Sequence, residues 1–372
     1  MGEGERACGP VRPAPSGPGF VVTGYDAARE ALRDSRLSKD TAAFFAGKES
    51  SRRLHPAVSR TMLASDPPHH TRLRKLVTKA FTTGAVARLR PYIARVTDEL
   101  LDAWHAGEPY DFVAGVAEPL PVTVICELLG VPHTDRPHVR RWSGELFAAG
   151  RPEVIDAASH GLAGYMTDLI AAKRHHPGDS LLDDLIAARD GDDRLTEPEL
   201  VSLAVLLLVA GHETTTHALG NALLSLLRHP AQLDRLRRDP DHIPAALDEL
   251  LRHDSAVSTA TFRYTTEPVT LGDTKVPAGA PVLVSIGAAN RDATRFPNPD
   301  TLDLNRDASA HLAFGHGIHR CVGAPLARAE LEIVLRAVLK RVPAFELAVP
   351  EGALEWRRTR LVRGLVSLPL VY

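Results

Sequence analysis

The sequence predicts a mainly α-helical protein with a minor β part. Apolar residues recur at helical spacing, between glycine and proline breakers, through most of residues 68–253, whereas short alternating segments occur only outside that stretch. The longest predicted helix, 196–228, would be about 48 Å long at 1.5 Å per residue and would cross a whole domain. No composition shift or internal repeat marks a linker. We therefore predict an irregular segment over residues 1–19 and a single domain over residues 20–372.

Composition and charge narrow the functional classes. The 372 residues include 44 Lys and Arg and 46 Asp and Glu, a formal charge of −2, which gives no electrostatic case for a nucleic-acid partner. Three cysteines are too few for a disulfide framework, which favours a reduced, cytoplasmic setting. The N-terminus shows no signal-peptide pattern, and the most apolar run, 203–210, is too short to span a bilayer. We therefore expect neither secretion nor membrane anchoring.

The N-terminal part of the chain opens on a segment rich in glycine and proline. Residues 20–23 then predict a short strand, and the apolar spacing of residues 25–37 predicts a helix. Residues 38–65 show no sustained period. We predict a long loop there with one helical turn, and long loops in compact domains are often functional.

Helical signals dominate the middle of the chain. The longest predicted helix opens with Thr196 and Glu199 at the spacing of a capping box, and Pro198 lies in its tolerated first turn. Its apolar middle predicts burial. The helices predicted here are 68–81, 84–104, 118–129, 134–149, 152–175, 179–189, 196–228, 230–238 and 242–253.

The pattern changes after the last of these helices. Gly272 and Asp273 separate two short apolar segments and predict a hairpin. The remaining predictions are a strand over 282–286, a loop over 290–320, a helix over 322–341 and weak strands over 345–371.

A lone cysteine, Cys321, directly precedes the last predicted helix and follows two glycines that permit a tight loop. A thiolate there would face the positive end of the helix and its free backbone N–H groups, which lower a thiol pKa. Considered alone, however, Cys321 is better interpreted as a structural cysteine.

The surrounding residues change this interpretation. Residues 314–323 read Phe-Gly-x-Gly-x-His-x-Cys-x-Gly, which resembles the haem-binding loop of the cytochrome P-450 family at every specified position. The resemblance implies a cytochrome P-450 fold and haem b, with Cys321 as the iron ligand. It also implies that His319 contacts a haem propionate, that Phe314 packs near the sulfur, and that Gly315 and Gly323 shape the loop.

A second stretch, Ala-Gly-His-Glu-Thr-Thr over residues 210–215, lies in the middle of the longest predicted helix. Burying a glutamate with no cation nearby is costly, so its presence calls for an explanation. The stretch resembles the family's oxygen-activating segment. The resemblance implies that Ala210 and Gly211 border dioxygen, with Gly211 leaving room for it. It implies that Glu213 and Thr214 form the acid–alcohol pair that delivers protons through ordered water.

The same stretch also needs testing as a zinc site. His212 and His217 lie five residues apart, one more than H-E-x-x-H requires, so they sit about 140° apart around the helix. We therefore reject a metalloprotease.

Two further sets of residues match the family. Glu249 and Arg252 resemble its E-x-x-R pair, whose partner arginine corresponds to Arg306, and the resemblance implies that these three buttress the haem loop. An exposed pair at this spacing would otherwise be worth little.

His70 and Arg74 share a face of the predicted helix 68–81, which could also be a solvated basic face. The resemblance implies that these two hold one haem propionate and that Arg263, with His319, holds the other.

The resemblance covers about residues 19–370 and is strongest to soluble bacterial members that draw electrons from a ferredoxin and its reductase with NAD(P)H. It implies a monooxygenase that inserts one atom of O2 into an apolar small molecule, such as a secondary metabolite. Alternatives are an oxidase that performs ring coupling or desaturation, or a haem-binding sensor without turnover. The family's extra N-terminal helix is expected to be missing or shortened. Substrate contacts are expected from the loop 44–63 and from Leu63, Leu207, Val257, Thr259 and Leu361.

Overall fold

The computed structural model describes residues 9–15, 17–48, 52–147, 151–190, 195–342, 344–357, 359 and 361–372. Helices dominate this part of the chain, as predicted. In chain order they are α1 (Tyr25–Arg33), α2 (Thr41–Phe45), α3 (Pro56–Ser59), α4 (His69–Thr78), α5 (Thr83–Leu101), α6 (Pro119–Leu129), α7 (Arg136–Leu146), α8 (Pro152–His175), α9 (Leu181–Asp190), α10 (Glu197–Leu227), α11 (Pro230–Arg238), α12 (Ile243–His253), α13 (Ile286–Ala289) and α14 (Ala324–Arg341).

The strands are short and form small sheets. They are β1 (Val11–Pro13), β2 (Phe20–Val22), β3 (Leu37–Ser38), β4 (Tyr110–Asp111), β5 (Arg263–Thr265), β6 (Val269–Leu271), β7 (Thr274–Val276), β8 (Pro281–Val284), β9 (Glu346–Leu347) and β10 (Pro369–Val371). One sheet has the order β1-β2-β8-β5-β3, with β2 and β8 parallel and the other neighbours antiparallel. A second has the order β4-β10-β9, and β6 pairs with β7 in the predicted hairpin.

The chain divides into two compact units. The sheet unit comprises Met1–Ser38, Ala87–Leu120 and Thr214–Tyr372, and the helical unit comprises Lys39–Val86 and Pro121–Glu213. The single domain over residues 20–372 stays a prediction.

The core of the sheet unit forms where α1 packs against the mixed sheet. Val22, Ala28, Ala31 and Leu271 are fully buried there. Tyr25 fixes α1 to the segment that leads to the cysteine loop, because its backbone N–H donates to Asp292 Oδ2 at 2.7 Å and its hydroxyl donates to the Ala310 carbonyl at 2.7 Å. This core therefore sets the position of the chain just before residue 314.

The helical unit is built around α8. Helix α7 packs along it, and Gly161 allows this because the ring of Trp142 would lie 2.8 Å from any Cβ at that position. Lys173, in the last turn of α8, pairs with Asp183 of α9 at 2.8 Å. The pair joins the two helices and lets a cation face the carbonyl end of α8.

The longest predicted helix is confirmed as α10. Its capping box forms as expected: the Thr196 N–H donates to Glu199 Oε2 at 2.8 Å, and the Glu199 N–H donates to Thr196 Oγ1 at 3.4 Å. In the part of the chain that the structure describes, α10 alone is long and apolar enough to cross a membrane, with a mean hydropathy of 1.2 over 18 residues. Because 72% of that window is buried inside the protein, α10 has the character of a core helix.

Several short elements differ from the sequence predictions. The segment predicted to be irregular contains β1, which pairs with β2; its residues 1–8 and 16 lie outside the described residues. The long loop contains α2 and α3, so one helical turn was too few. Strands β3, β4 and β5 were not predicted, because segments of two or three residues carry no readable alternation and depend on partners distant in sequence.

Candidate haem site

The loop before α14 owes its shape to two glycines. Gly315 and Gly317 have φ angles of 70° and 73°, in the left-handed region that favours glycine. At Gly317 a Cβ would also lie 2.8 Å from the Leu32 carbonyl oxygen at the end of α1. The Cys321 N–H donates to the Phe314 carbonyl at 2.8 Å and closes the loop. The expectation that Cys321 faces the free N–H groups of the following helix stays a prediction.

Cys321 is solvent-exposed and lies two residues before Gly323, the N-cap of α14. Within the same loop Ile318 is 49% exposed, so an apolar surface adjoins the thiol. Cys126 differs in every respect, since it is fully buried and burial raises the pKa of its thiol to about 12. Of the cysteines that the structure describes, Cys321 is thus the one placed to act as a thiolate ligand.

The middle of α10 is accessible although the helix is largely buried. Leu206, Ala210 and Thr214 are partly or fully exposed, and their four-residue spacing puts them on one helix face. Leu207, the predicted substrate contact, is only 5% exposed. The accessible stripe runs through the neighbouring Leu206, and contact between Leu207 and the substrate stays a prediction.

Gly211 has a packing role that the sequence did not reveal. A Cβ at this position would lie 2.7 Å from Cγ1 of Ile125, so the glycine lets α6 approach α10 closely. The space left by the missing side chain is therefore filled by Ile125. Room for dioxygen on another side of Gly211 stays a prediction.

Glu213 is buried and directly follows His212 in α10. His212 Nε2 lies 3.5 Å from Glu213 Oε1, and both side chains are at most 10% exposed. His212 Nδ1 lies 2.9 Å from the Leu208 carbonyl, which fixes Nδ1 as the protonated nitrogen and leaves Nε2 toward the carboxyl group. An imidazole thus accompanies the buried acid.

In the helical unit, α4 places His70 in a cationic environment. Burial, and then the charges of Arg74 and Lys39, lower the pKa of His70 to about 4. Lys39 is itself only 2% exposed. Arg72 pairs with Glu199, whereas Lys75 and Lys79 are exposed and form a solvated basic face on another side of this segment. Buried cationic groups of this kind suit an anionic ligand such as a carboxylate.

In the sheet unit, β5 carries Arg263 into the interior. Its side chain is buried, and its Nη1 and Nη2 donate to the carbonyls of Thr261 and Leu32 at 3.2 and 3.4 Å. The Leu32 carbonyl also lies against Gly317 of the cysteine loop. His319, on that loop, is half-buried. Arg263 therefore lies beside the loop that carries Cys321.

Glu249, Arg252 and Arg306 meet in a buried cluster. Arg252 makes a two-point contact with Glu249, from Nε at 2.6 Å and from Nη2 at 2.9 Å, and Arg306 Nε donates to Glu249 Oε1 at 3.1 Å. Glu249 and Arg252 are at most 1% exposed. Arg252 Nη1 also holds the carbonyls of Asn290 and Pro299 at 2.9 and 2.8 Å. This is a buried network and not a weak surface pair.

Val257, Thr259 and Leu361, the predicted substrate residues of the sheet unit, lie on two short segments that pair with each other. We call these segments, residues 254–259 and 361–363, the substrate ribbon. Val257 and Val362 form an antiparallel bridge, and the Ser258 N–H donates to the Leu361 carbonyl at 2.9 Å. Leu361 is 45% exposed. Thr259, bridged to Ser285, lies on the same segment. The structure thus brings these predicted contacts together, although more than 100 residues separate Thr259 from Leu361 in sequence.

In the helical unit, Leu63 is half-buried in a short 3-10 turn. The loop before it is attached to α8, because the Arg53 N–H donates to Asp156 Oδ2 at 2.8 Å and the His55 N–H donates to Ser159 Oγ at 3.0 Å. Residues 49–51 of the predicted loop 44–63 lie outside the described residues.

Both units contain groups that suit haem. The sheet unit offers an accessible thiol at a helix N-terminus beside a buried guanidinium, and the helical unit offers buried cationic groups that favour a carboxylate. An iron porphyrin needs a soft axial ligand and cations for its two propionates. The residues present therefore fit the group.

Comparison with known proteins decides the family. The sequence profile described as Cytochrome P450 matches residues 156–370. The chain is also 45% identical over 358 residues to cytochrome P450 107B1 of Saccharopolyspora erythraea, with 94% of this chain and 88% of that protein covered. The chain belongs to the cytochrome P450 family. It is an enzyme of the P450 monooxygenase kind, and the family uses haem-thiolate iron and O2.

Solved P450 structures confirm the fold. The P450 monooxygenase TamI bound to tirandamycin C superposes with a TM-score of 0.89 at 46% identity, covering 98% of this chain and 92% of that one. The putative thioether synthase SgvP, from the tailoring step of griseoviridin, superposes with a TM-score of 0.91 at 40% identity, covering 100% and 95%. These relatives are named as enzymes, which favours an enzyme over a haem-binding sensor.

The structure points to four further residues that sequence reasoning missed as parts of the site. Lys39 lies at the start of the long loop, where no periodicity draws attention to it. Leu206 could be recognised only once the structure showed which face of α10 is accessible. His212 was considered only as a zinc ligand, although its place beside a buried Glu was a usable signal. Asn221, a polar residue within an apolar helical stretch, was visible in the sequence but had no identifiable partner.

Proposed function

We propose that this P450 hydroxylates an apolar secondary metabolite with electrons from a ferredoxin: RH + O2 + two electrons + two protons give ROH + water. The observation that carries the proposal is the placement of Cys321, whose exposed thiol lies on a glycine-shaped loop at the N-terminus of α14. Bound haem would supply dioxygen activation. The chain's own residues would hold it, deliver protons and orient the substrate.

Cys321 would hold the iron as a thiolate. The positive end of α14 favours the ionised sulfur. The segment before the loop is fixed by the buried Glu249 network and by Asn290, whose Oδ1 accepts from the Leu312 N–H at 2.7 Å. These contacts give the loop a rigid base, so the thiolate is placed before haem binds.

Four basic residues would hold the propionates. His70 and Arg74 supply one set from α4, and Arg263 and His319 supply the other from the sheet unit. A propionate beside His70 would offset the cations that now depress the pKa of this side chain. Charge-assisted hydrogen bonds of this kind are worth about 1.5–3 kcal/mol each.

Glu213 and Thr214 would form the proton relay. Glu213 is 8% exposed, and Thr214 lies on the accessible stripe of α10. A buried acid beside an accessible hydroxyl suits transfer from the protein to bound water. His212 Nε2 lies 3.5 Å from Glu213 Oε1 and would accept a hydrogen bond from the protonated acid.

The substrate would contact apolar groups. Leu206 and Ala210 on α10 present aliphatic surface in the helical unit, and the ribbon that carries Val257 and Leu361 does so in the sheet unit, so each favours a ligand with sizeable apolar area. Aliphatic side chains offer a substrate few hydrogen bonds. Orientation would therefore depend on the shape of the walls.

Substitution of Thr214 tests the relay. Thr214→Ala is expected to keep haem bound but to divert electrons into hydrogen peroxide, because dioxygen reduction continues without a hydroxyl to pass the proton. Product formed per NADPH should fall several-fold while NADPH consumption persists. Thr215→Ala, a buried neighbour, is the matched control and should leave the ratio unchanged. Equal coupling in both variants would contradict the assignment.

A labelled-oxygen experiment tests the reaction. The haem-loaded enzyme is supplied with a surrogate ferredoxin, its reductase, NADPH and 18O2, together with apolar polyketide and terpenoid candidates. Monooxygenation predicts one 18O atom in the product. Replacing the ferredoxin with a flavodoxin tests the partner separately, and equal rates with both would overturn its assignment.

A second candidate is oxidative bond formation or desaturation without oxygen insertion. The superposition on the putative thioether synthase SgvP favours this candidate, because the fold and 40% of the sequence are shared with a protein of that description. The labelled-oxygen experiment separates the two, since coupling or desaturation gives products that contain no 18O.

A further inference from the structure

Helix α10 carries a fully buried asparagine seven residues after Thr214. The Nδ2 of Asn221 donates to the Arg363 carbonyl at 3.0 Å and to the Asp254 carbonyl at 3.4 Å. Its Oδ1 is also buried and has no hydrogen-bond partner among the residues that the structure describes. Asparagine is a poor residue for a helix interior, so its presence needs a tertiary reason. Here the side chain acts purely as a donor to two distant backbone segments.

These two segments are the strands of the substrate ribbon. Asp254 begins one strand and Arg363 belongs to the other, and they are further joined by the Arg363 N–H to Ala256 carbonyl bond at 2.7 Å. Arg363 Nε also pairs with Asp254 Oδ1 at 2.7 Å. Asn221 therefore attaches both strands at once, at the base of the ribbon that carries Val257, Thr259 and Leu361.

A second contact attaches the same ribbon one helical turn earlier. Gly364 lies against His217 so closely that a Cβ would be 2.1 Å from the His217 Nδ1. Thr214, His217 and Asn221 are spaced by three and four residues and share one face of α10. The ribbon thus rests on the helix face that also carries the relay hydroxyl.

We propose that Asn221 is a positioning residue for substrate selectivity, because it fixes both strands of the substrate ribbon to α10. The inference rests on the proposed function insofar as Val257, Thr259 and Leu361 contact the substrate. Removing the amide takes the side-chain donor away from the carbonyls of Asp254 and Arg363. Because an unsatisfied carbonyl is costly, both strands are then expected to move until these carbonyls find water or new donors. The wall of the substrate cavity would move, while the cysteine loop, held by other contacts, would not.

The test uses haem-loaded enzyme and two iron-ligating probes of different size. Imidazole reaches the iron with little contact to the walls, whereas clotrimazole fills the surrounding cavity. Asn221→Leu removes both donors at similar volume. We expect the clotrimazole Kd, measured by spectral titration, to change at least ten-fold and the imidazole Kd to change less than two-fold. Deuterium exchange should accelerate at the Ser258 and Arg363 amides and stay unchanged over residues 314–323.

The matched control is Thr97→Val, which removes another fully buried side-chain donor, to the Ile93 carbonyl at 2.8 Å in α5, away from the ribbon. It should leave both Kd values unchanged. An unchanged ratio of the two Kd values in Asn221→Leu would overturn the proposal, even if exchange accelerates, because the residue would then be structural only.

If Asn221→Leu does not accumulate, Asn221→Ser is measured against the same criteria, since it keeps one small donor and should shift the ratio in the same direction. Failure of the proposed function has a different signature. The wild-type enzyme would then form no product that contains 18O in the labelled-oxygen experiment, whereas both Kd values depend on haem ligation alone and would still be measurable.

Discussion

Two buried charged regions of this P450 illustrate different uses of charge. Around Glu249, one carboxylate faces two guanidinium groups, and the remaining donors of Arg252 meet backbone carbonyls. Around His70, burial and then the charges of Arg74 and Lys39, which have the same sign as the protonated imidazole, lower the pKa of this side chain. In the matched network around Glu249 every buried charge meets a partner of opposite sign, which fixes the fold. Around His70 the cations Arg74 and Lys39 outnumber the one carboxylate, that of Asp66, so this one-sign cluster favours a ligand of negative charge.

The largest effect is expected from breaking the matched network. Glu249→Gln leaves Arg252 buried without its carboxylate, so the free energy of unfolding should fall by about 3–5 kcal/mol. Asp234→Asn is the control, because Asp234 pairs with Arg237 at the same i, i+3 spacing but is 59% exposed. The control should cost less than about 1 kcal/mol in denaturant unfolding. Similar losses would mean that burial does not distinguish the two pairs.

An intermediate effect is expected from pH. Burial, and then the nearby Arg291, lower the pKa of His253 to about 4. Because this pKa is below the unfolded value of about 6.5, the unfolded chain takes up a proton that the folded chain does not. Stability should therefore fall as pH decreases from about 6.5 to 4, by about 1.4 kcal/mol per unit and about 3 kcal/mol in all for this side chain.

His253→Gln keeps a donor for the Asp300 carbonyl and removes the titration. The slope of unfolding free energy against pH should become shallower in this variant and not in His105→Gln, whose residue is exposed. A slope equal to that of the wild type would show that His253 does not contribute.

A smaller effect is expected at the one-sign cluster, and it should appear in haem retention and not in folding. Arg74→Gln should speed transfer of haem to apomyoglobin about ten-fold, consistent with loss of one charge-assisted hydrogen bond. Arg72→Gln is the matched control on the same helix, since Arg72 already pairs with Glu199. Equal rates of haem transfer from the two variants would show that the cluster around His70 has no special part in holding haem.

The sequence was most informative where chemistry is local. Helices such as α8 and α10 followed from apolar spacing and breakers, and Cys321 followed from a ten-residue motif. The ribbon could not be predicted in this way, because Val257 and Val362 pair across more than 100 residues of sequence and neither segment alternates. Gly211 was assigned to dioxygen, whereas its side-chain position meets Ile125 of another helix. Lys39 and Asn221 depend on partners brought close only by folding, so no local pattern marks them.

The most direct test of the central claim is the absorbance of the reduced, carbon-monoxide-bound enzyme. Ligation by the Cys321 thiolate predicts a strongly red-shifted Soret band in the wild type. Cys126→Ser, at a buried thiol whose pKa is raised to about 12, should keep the shifted band, and Cys321→Ser should lose it. A band at the ordinary haem position in the wild type, or a shifted band that survives Cys321→Ser, would contradict the assignment.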